Sequence, residues 1–414
     1  MKREIVILVC WAGALLCSCR CAEPHRLAPS EQLLEKGAQS MTDVVKEPSL
    51  TEYLKKPYFD PLVAQLADTA AARYQQEPLK SQHMKAKATD APGGGRQEGW
   101  ITATFGRGES EISKSLQSID GPFTWNLASI DQAFNEAIKR APSAAKMQVP
   151  TFTLVKGLSI NYLHEYPWGK DSIVQLASQF NFLESPSTNK IPVSAYLTDS
   201  TQGPQGSIEA AAAALHRTSA EAAGKLPHAL SGVFEGDSSA YYRNGYFEPG
   251  KLSTKARGEV LAIVRKNLGK LTILPQWVRC EASGTIQLQV FTAAPSFQGG
   301  QRPEEDSLEA QLCDTLVTAQ YRAIAQLAVI RSIETGDVVP LHLTLAGQGA
   351  FNNPPSVMKS ALTQVASVVK GRSGVRVFIH AYSDEGQMRV KSSQDTALWN
   401  LVEWTKEQFK AAPR

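Results

Sequence analysis

Gly347 and Gly349 stand two residues apart in "LHLTLAGQGAFNNPPSVMKSAL", Leu341 to Leu362, between an alternating apolar run and a helical one. Leu341, Leu343 and Leu345 recur with the period of a strand. Val357, Ala361, Leu362, Val365 and Val369 recur with the period of one helix face. Asn353 and Pro354 suit the cap and first turn of that helix. The helix is therefore expected to open at the glycine loop, with its unbonded backbone N–H groups and positive dipole end gathered there. Glycine lets the backbone approach a ligand closely or take a positive φ. Such a loop can cradle a diphosphate. A tight β-to-α connection without a ligand uses the same residues, and both readings stand on the loop alone.

A second loop has the same build. "DSIVQLASQFNFLE", Asp171 to Glu184, reads as a strand ending in Asn181. In "TDSTQGPQGSIEAAAA", Gly203, Pro204 and Gly206 precede a helix expected to open at Ser207. Two loops that each face a helix N-terminus can grip opposite ends of one extended phosphate-bearing ligand. A dinucleotide fingerprint is nearly present at the first loop, but Asn352 stands in place of the third glycine. The strand "VRVFIHAY" after the helix is followed by too few residues for further sheet, beyond one helix around Trp399 to Phe409.

Other chemistries have less support. No H-E-x-x-H, G-x-S-x-G or P-loop pattern occurs, and the seven histidines are scattered. His342 and His380 lie on adjacent candidate strands and can face each other, which fits core histidines. Cys280 and Cys313 have no C-x-x-C neighbour, so no metal site and no cofactor is expected. Whether those two cysteines pair stays open. A formal net charge of +3, with no basic tract interleaved with aromatics, argues against a nucleic-acid partner.

The elements that position these residues follow from periodicity. "ASIDQAFNEAIKRA" is expected to be a helix capped by Ser129 with Gln132 in the capping box. Asp60 and Pro61 open another, with Leu62, Leu66 and Ala70 on one face. Strands are expected at Thr151 to Val155, Ser172 to Phe180, "LTIL", "TIQLQVF" and "VRVFIHAY". Long helices are expected at "STKARGEVLAIVRKNL" and "DSLEAQLCDTLVTAQYRAIAQLAVIRSI". Strands and helices that alternate at short connections imply a mixed sheet sandwiched between helices, with ligands beyond the carboxyl ends of the strands.

Ahead of this core, Lys2 and Arg3 precede an apolar run from Ile5 to Leu16, too short to span a bilayer. That layout is a secretory signal, and "LCSC" places Cys19 where a bacterial lipobox carries lipid. The expected organisation is a signal over 1–19, a helical extension over 20–99 with a glycine-rich linker from Ser81 to Gly99, and an α/β domain over 100–414. The protein is expected to be exported, as an anchored lipoprotein or a free one, and to meet a membrane only through such an anchor.

"GLSINYLHEYPWGKDSIVQLASQFN", "LTLAGQGAFNNPPSVMKSALTQV" and "VRVFIHAY" together resemble macrodomains, with the closest likeness to the microbial poly(ADP-ribose) glycohydrolase branch. The resemblance spans about Phe152 to Ser383 and implies a macrodomain-like mixed sheet. It implies that Asn181 holds the distal ribose, that Gly347, Gln348 and Gly349 wrap the diphosphate with Asn352 beside them, and that Phe351 packs on adenosine or ribose. Gln202 and Gly203 would lie in the catalytic loop. "AYYRNGYF", Ala240 to Phe247, reads either as an aromatic lid or as a surface loop. The chain departs from the pattern: the three glycines and the paired glutamates are missing, leaving Glu209 as the carboxylate of the loop–helix segment. The strand that should carry an adenine-reading acid has Leu158 and Ser159. The resemblance thus implies binding of ADP-ribose, a related nucleotide diphosphate or an ADP-ribosylated protein, with weak or no glycohydrolase activity. The alternative is an interaction protein with a degenerate, non-binding pocket.

Overall fold

Five strands of one sheet lie parallel, and the three inner ones are buried for most of their length. The computed structural model describes residues 47–76, 101–102, 104–141, 151–156, 160, 162–165, 167–183, 188, 210–235, 242–370 and 374–381. Contacts divide the chain after Glu47, and all other described residues belong to the second unit. Several expectations fall outside the described residues: the leader with Cys19, the linker, Gln202, Gly203, Glu209 and the last helix. The helix expected to open at Ser207 opens instead at Ala211, with Ala210 as its cap.

The strands are β1 (Trp125–Asn126), β2 (Thr151–Lys156), β3 (Ile173–Ser178), β4 (Tyr242–Arg243), β5 (Tyr246–Phe247), β6 (Thr272–Arg279), β7 (Ile286–Ala293), β8 (Val339–Leu343) and β9 (Val375–Ala381). The longer helices are α1 (Leu50–Lys55), α2 (Pro61–Gln76), α3 (Glu109–Gln117), α4 (Leu127–Arg140), α5 (Ala211–Ala222), α6 (Thr254–Asn267), α7 (Leu308–Thr335) and α8 (Pro355–Val369). The seven-stranded sheet runs β1-β6-β7-β3-β8-β9-β2. β6 and β1 are the antiparallel strands at one edge. This is the mixed α/β sheet expected from the alternation of elements, and β4 and β5 form a separate hairpin.

Register sorts the side chains onto two faces. Trp277, Leu288, Ile173, Leu341 and Val377 share one row. Arg331 of α7 lies over the Trp277 ring at 4.7 Å and donates to the carbonyl of Leu54 at 2.6 Å, so α7 and α1 cover that face. α7 is buried nearly all round, begins at Ser307, whose Oγ accepts from the N–H of Ala310, and ends at Gly336 with φ 76°. No described helix is long and apolar enough to cross a membrane.

Local chemistry moved two expected caps. Asn126, not Ser129, caps α4: its Oδ1 accepts from the N–H and hydroxyl of Ser129 at 2.8 and 2.9 Å. Asn126 has the extended backbone a cap needs because it still pairs with Thr272 in the sheet. Gln132 turns instead to Glu136 at 2.9 Å. Asn353 does not cap α8, which starts at Pro355 after Pro354 with no side-chain cap. Its amide donates inward to the carbonyls of Pro295 and Phe351 at 2.7 and 3.2 Å. Asp60 behaves as expected, accepting from the N–H of Leu62 at 2.8 Å. Cys280 and Cys313 are separate buried thiols.

Candidate functional site

The glycine loop hangs from a ladder of buried polar groups. Gln175 in β3 donates through Nε2 to Thr292 Oγ1 at 2.6 Å, and its Oε1 accepts from the N–H and hydroxyl of Thr344 at 2.7 and 2.6 Å. Tyr321 of α7 donates to the Thr344 carbonyl at 2.7 Å and accepts from the Ala346 N–H at 3.0 Å. Burial raises the Tyr321 pKa and so keeps it a neutral hydroxyl able to do both. Gln175 of β3, Thr292 of β7, Thr344 just past β8 and Tyr321 of α7 thereby hold the loop's root.

The loop then closes on itself. Gln348 N–H bonds the Leu345 carbonyl at 3.1 Å, Asn352 N–H that of Gly349 at 3.0 Å, and Asn353 N–H that of Gly347 at 2.9 Å. Gly347 has φ +81°, and a Cβ there would lie 2.8 Å from the Ala294 Cβ. Gly349 is exposed, has no positive φ, and its Cβ would meet nothing within 4 Å. The two glycines thus differ: the first is needed for packing, and the second leaves space. Among the described residues, none accepts a hydrogen bond from the N–H of Gly349, Ala350 or Phe351. Three consecutive donors beside the start of a 15-residue helix are left for an outside acceptor.

Neighbouring loops frame these donors. Asn352, at φ 53°, accepts through Oδ1 from Arg302 Nε at 3.2 Å. Arg302 comes from "FQGGQRPEED", the loop after β7, and the sequence reading missed it. Its signal was its place: another glycine-bearing segment at the carboxyl end of a parallel strand. The same loop brings Glu305, which accepts from the Ser356 hydroxyl in the first turn of α8. This loop therefore sets Arg302 next to Glu304, Glu305 and Asp306.

Asn181 lies at the other side of this sheet edge, fully buried. Its Oδ1 accepts from the Leu183 N–H at 3.2 Å, and its amide approaches Asn244 Oδ1 at 3.4 Å. The "YRNGYF" stretch is the β4–β5 hairpin, turning at Asn244 and Gly245 with φ 47° and 77°. A Cβ on Gly245 would strike the Asn181 carboxamide, so the hairpin sits directly on it. The hairpin buries Tyr246 and Phe247. Tyr246 meets the half-buried Phe351 ring at 5.5 Å, which joins the Asn181 side to the glycine loop. The structure thus brings Gly347, Gln348, Gly349, Phe351 and Asn352 into one loop and ties it to the hairpin over Asn181. Gln348 spends its amide on the Pro354 carbonyl at 3.2 Å.

Among the described residues no group of three histidine, cysteine or acidic side chains is placed to hold a metal ion. A hollow along α2, lined by Pro61, Gln65, Asp68 and Arg73, is an open surface that shares no residue with the loop.

No model of a known protein family matches the chain, and no curated protein matches it. Solved structures do give a likeness. The poly(ADP-ribose) glycohydrolase of Thermomonospora curvata aligns over 80% of this chain and 98% of its own, at 11% identity and a TM-score of 0.36. That of Deinococcus radiodurans, in complex with ADP-ribose, aligns over 71% and 98%, at 11% identity and 0.39. A macrodomain of Trypanosoma brucei in complex with ADP aligns over 88% and 97%, at 10% identity and 0.31. The neighbours are glycohydrolases and macrodomains, the group the sequence resembles. Scores this far below one half assign no residue a role, so the site is argued from its own atoms.

Proposed function

We propose that the protein binds ADP-ribose or a related nucleotide diphosphate, free or on a modified protein, at the carboxyl edge of its parallel strands. One observation carries the reading. The N–H groups of Gly349, Ala350 and Phe351 stand without partners among the described residues, at the head of α8 and beside a bound Arg302. Backbone donors with a nearby guanidinium are the arrangement that takes phosphate oxygens. Calorimetric titration of the mature chain with ADP-ribose, and with adenosine as the phosphate-free control, tests it. Heat with the first and none with the second supports it; equal or absent heats overturn it.

Turnover is proposed to be weak or absent. Hydrolysis at the anomeric carbon of ribose needs a proton donor for the leaving group and a positioned water. Gln202 and Gln205 are amides. Glu209 is the segment's carboxylate and precedes α5, which opens at Ala211 with Ala210 as its cap; one carboxylate cannot protonate the leaving group and activate the water in the same step. Brisk release of ADP-ribose from poly(ADP-ribose), eliminated by Glu209→Ala, would refute this. The chain is also proposed to be exported, with its mature start at or next to Cys19; mass spectrometry showing Met1 retained on cell-associated protein would refute that.

A specific observation favours a second reading. Glu304, Glu305 and Asp306 crowd the rim, and the Asn181 side chain is bonded within its own corner. A surface interaction protein with a non-binding pocket would show these features and give no heat with any nucleotide.

A further inference from the structure

The two faces of the sheet differ in chemistry. Opposite the apolar face under α7, one row holds Gln276, Gln289, Val174, His342 and Phe378. Gln287 and His380 lie two residues away on the same face. All are buried except Phe378. The layer above this face has a hydrophobic core of its own, with Val63 and Leu66 of α2, Ile112 and Leu116 of α3, and Leu215 of α5. It meets the sheet through apolar contacts, as Ala210 and Ala213 against Val278 and Cys280, and through polar ones. Arg217 of α5 donates to Gln276 Oε1 at 2.8 Å and lies 3.9 Å over the Phe291 ring. His164, in the short helix Tyr162–Glu165, meets Gln289 Nε2 at 3.1 Å. His342 Nδ1 and His380 Nε2 are 2.9 Å apart.

All four buried histidines of the described chain lie on this face or in this cover. The fourth, His216 of α5, bonds the Asp120 carbonyl at 2.7 Å. Among the described residues no carboxylate bonds the rings of His164, His216 or His342. The charged groups around them are few. Asp60 and Arg217 act on His216 with opposite sign. Glu281 accepts from the Ala212 N–H, and Asp68 pairs with Arg279. His164 Nδ1, His342 Nε2 and the amide oxygens of Gln287 and Gln289 have no described partner. The contact between His342 and His380 needs one of the two facing nitrogens to carry a proton and the other to be bare, so protonating the bare nitrogen breaks it.

We propose that this interface is an acid-sensitive seam: protonation of its buried histidines releases the cover from the sheet, while the sheet and the helices on its apolar face stay folded. Among the described residues the apolar face has no buried histidine; Glu334 of α7 is paired with Lys55 and Arg140. Burial lowers His164 to about 4. Burial first, then His380 and His164, lowers His342 to about 3. Burial also lowers His216, against the Asp120 carbonyl and Asp60. The sign follows. A histidine lowered in the closed state takes up a proton on opening, so closure is unaffected well above the free value of about 6.5 and is opposed as pH falls below it. For His164 and His342 together, the opening equilibrium should rise by up to roughly 500-fold between pH 7 and pH 5, the limit set by both rings regaining the free value.

Amide hydrogen exchange of the full chain, corrected for the intrinsic pH dependence of exchange, reads this directly. Peptides from α5 and Tyr162–Glu165 should lose protection by more than 100-fold between pH 7 and 5, and peptides from α7 and α8 by less than ten-fold. His164→Gln with His342→Gln should remove most of the response in the cover. Equal loss in both layers, a cover that changes less than ten-fold, or a double variant with the parent's response would overturn the proposal. If the double variant does not fold, the two-layer comparison in the parent decides alone.

Discussion

Gly347 and Gly349 share one loop, yet replacing each should fail in a different assay. At Gly347, an alanine must sit at φ +81°, which costs an L-residue about 1–2 kcal/mol. Its Cβ would also press the Ala294 Cβ at 2.8 Å, and relieving such overpacking costs about 1–3 kcal/mol. Gly347→Ala should therefore destabilise by about 2–5 kcal/mol, read as a lower urea midpoint at unchanged slope. At Gly349 a side chain meets nothing within 4 Å and no positive φ, so Gly349→Val should shift stability by about 0.5 kcal/mol or less. Its isopropyl group would instead cover the donors at Gly349, Ala350 and Phe351. Losing one hydrogen bond to a charged phosphate is worth about 1.5–3 kcal/mol, or about 10- to 150-fold in affinity for ADP-ribose. Urea titration and calorimetry on both variants separate the two effects. If Gly349→Val binds as the parent does, the loop is only a turn. If Gly347→Ala keeps the parent's midpoint, the packing argument fails.

Tyr321→Phe would leave the Thr344 carbonyl and Ala346 N–H without their partner, costing about 1–3 kcal/mol and speeding amide exchange at Ala346. Arg302→Gln should weaken ADP-ribose several-fold and leave adenosine unchanged, whereas Glu305→Gln should strengthen ADP-ribose, with both effects shrinking in high salt; calorimetry at two ionic strengths checks the signs. Ser307→Ala removes the acceptor for the Ala310 N–H at 3.1 Å and should cost about 1 kcal/mol by urea unfolding.

Periodicity made the central strands and long helices legible, because strands buried between two layers are apolar runs bounded by polar turns. It revealed the loop at Gly347 and Gly349, and the facing of His342 and His380. It did not reveal which glycine serves packing, because that depends on Ala294, more than fifty residues earlier in the chain. The cap at Asn126 escaped because sheet pairing, not the helical pattern, gives that residue its extended backbone. Asn353 escaped for a related reason: two carbonyls in the loop base offered its amide better partners than a helix turn did. Gln287 and Gln289 alternate with the apolar residues of "TIQLQVF", yet both are buried beneath the cover, as is Gln276 beyond the end of the expected "LTIL" strand. Alternation reports two faces, but it cannot say that both are covered.

That buried polar face bears on how the site works. The glycine loop is rooted in Gln175, Thr344 and Tyr321, whose bonds are all made within the protein. A loop whose root is already ordered loses little freedom when a ligand arrives. The cover is attached to the same sheet by Arg217 on Gln276 and by His164 on Gln289, and the second bond needs a bare imidazole nitrogen to accept from the amide. Rigidity at the carboxyl edge and a titratable seam on one face are therefore separate properties of one sheet. Acid should loosen the cover before it disturbs the root of the loop, because no histidine takes part in the Gln175–Thr344–Tyr321 ladder.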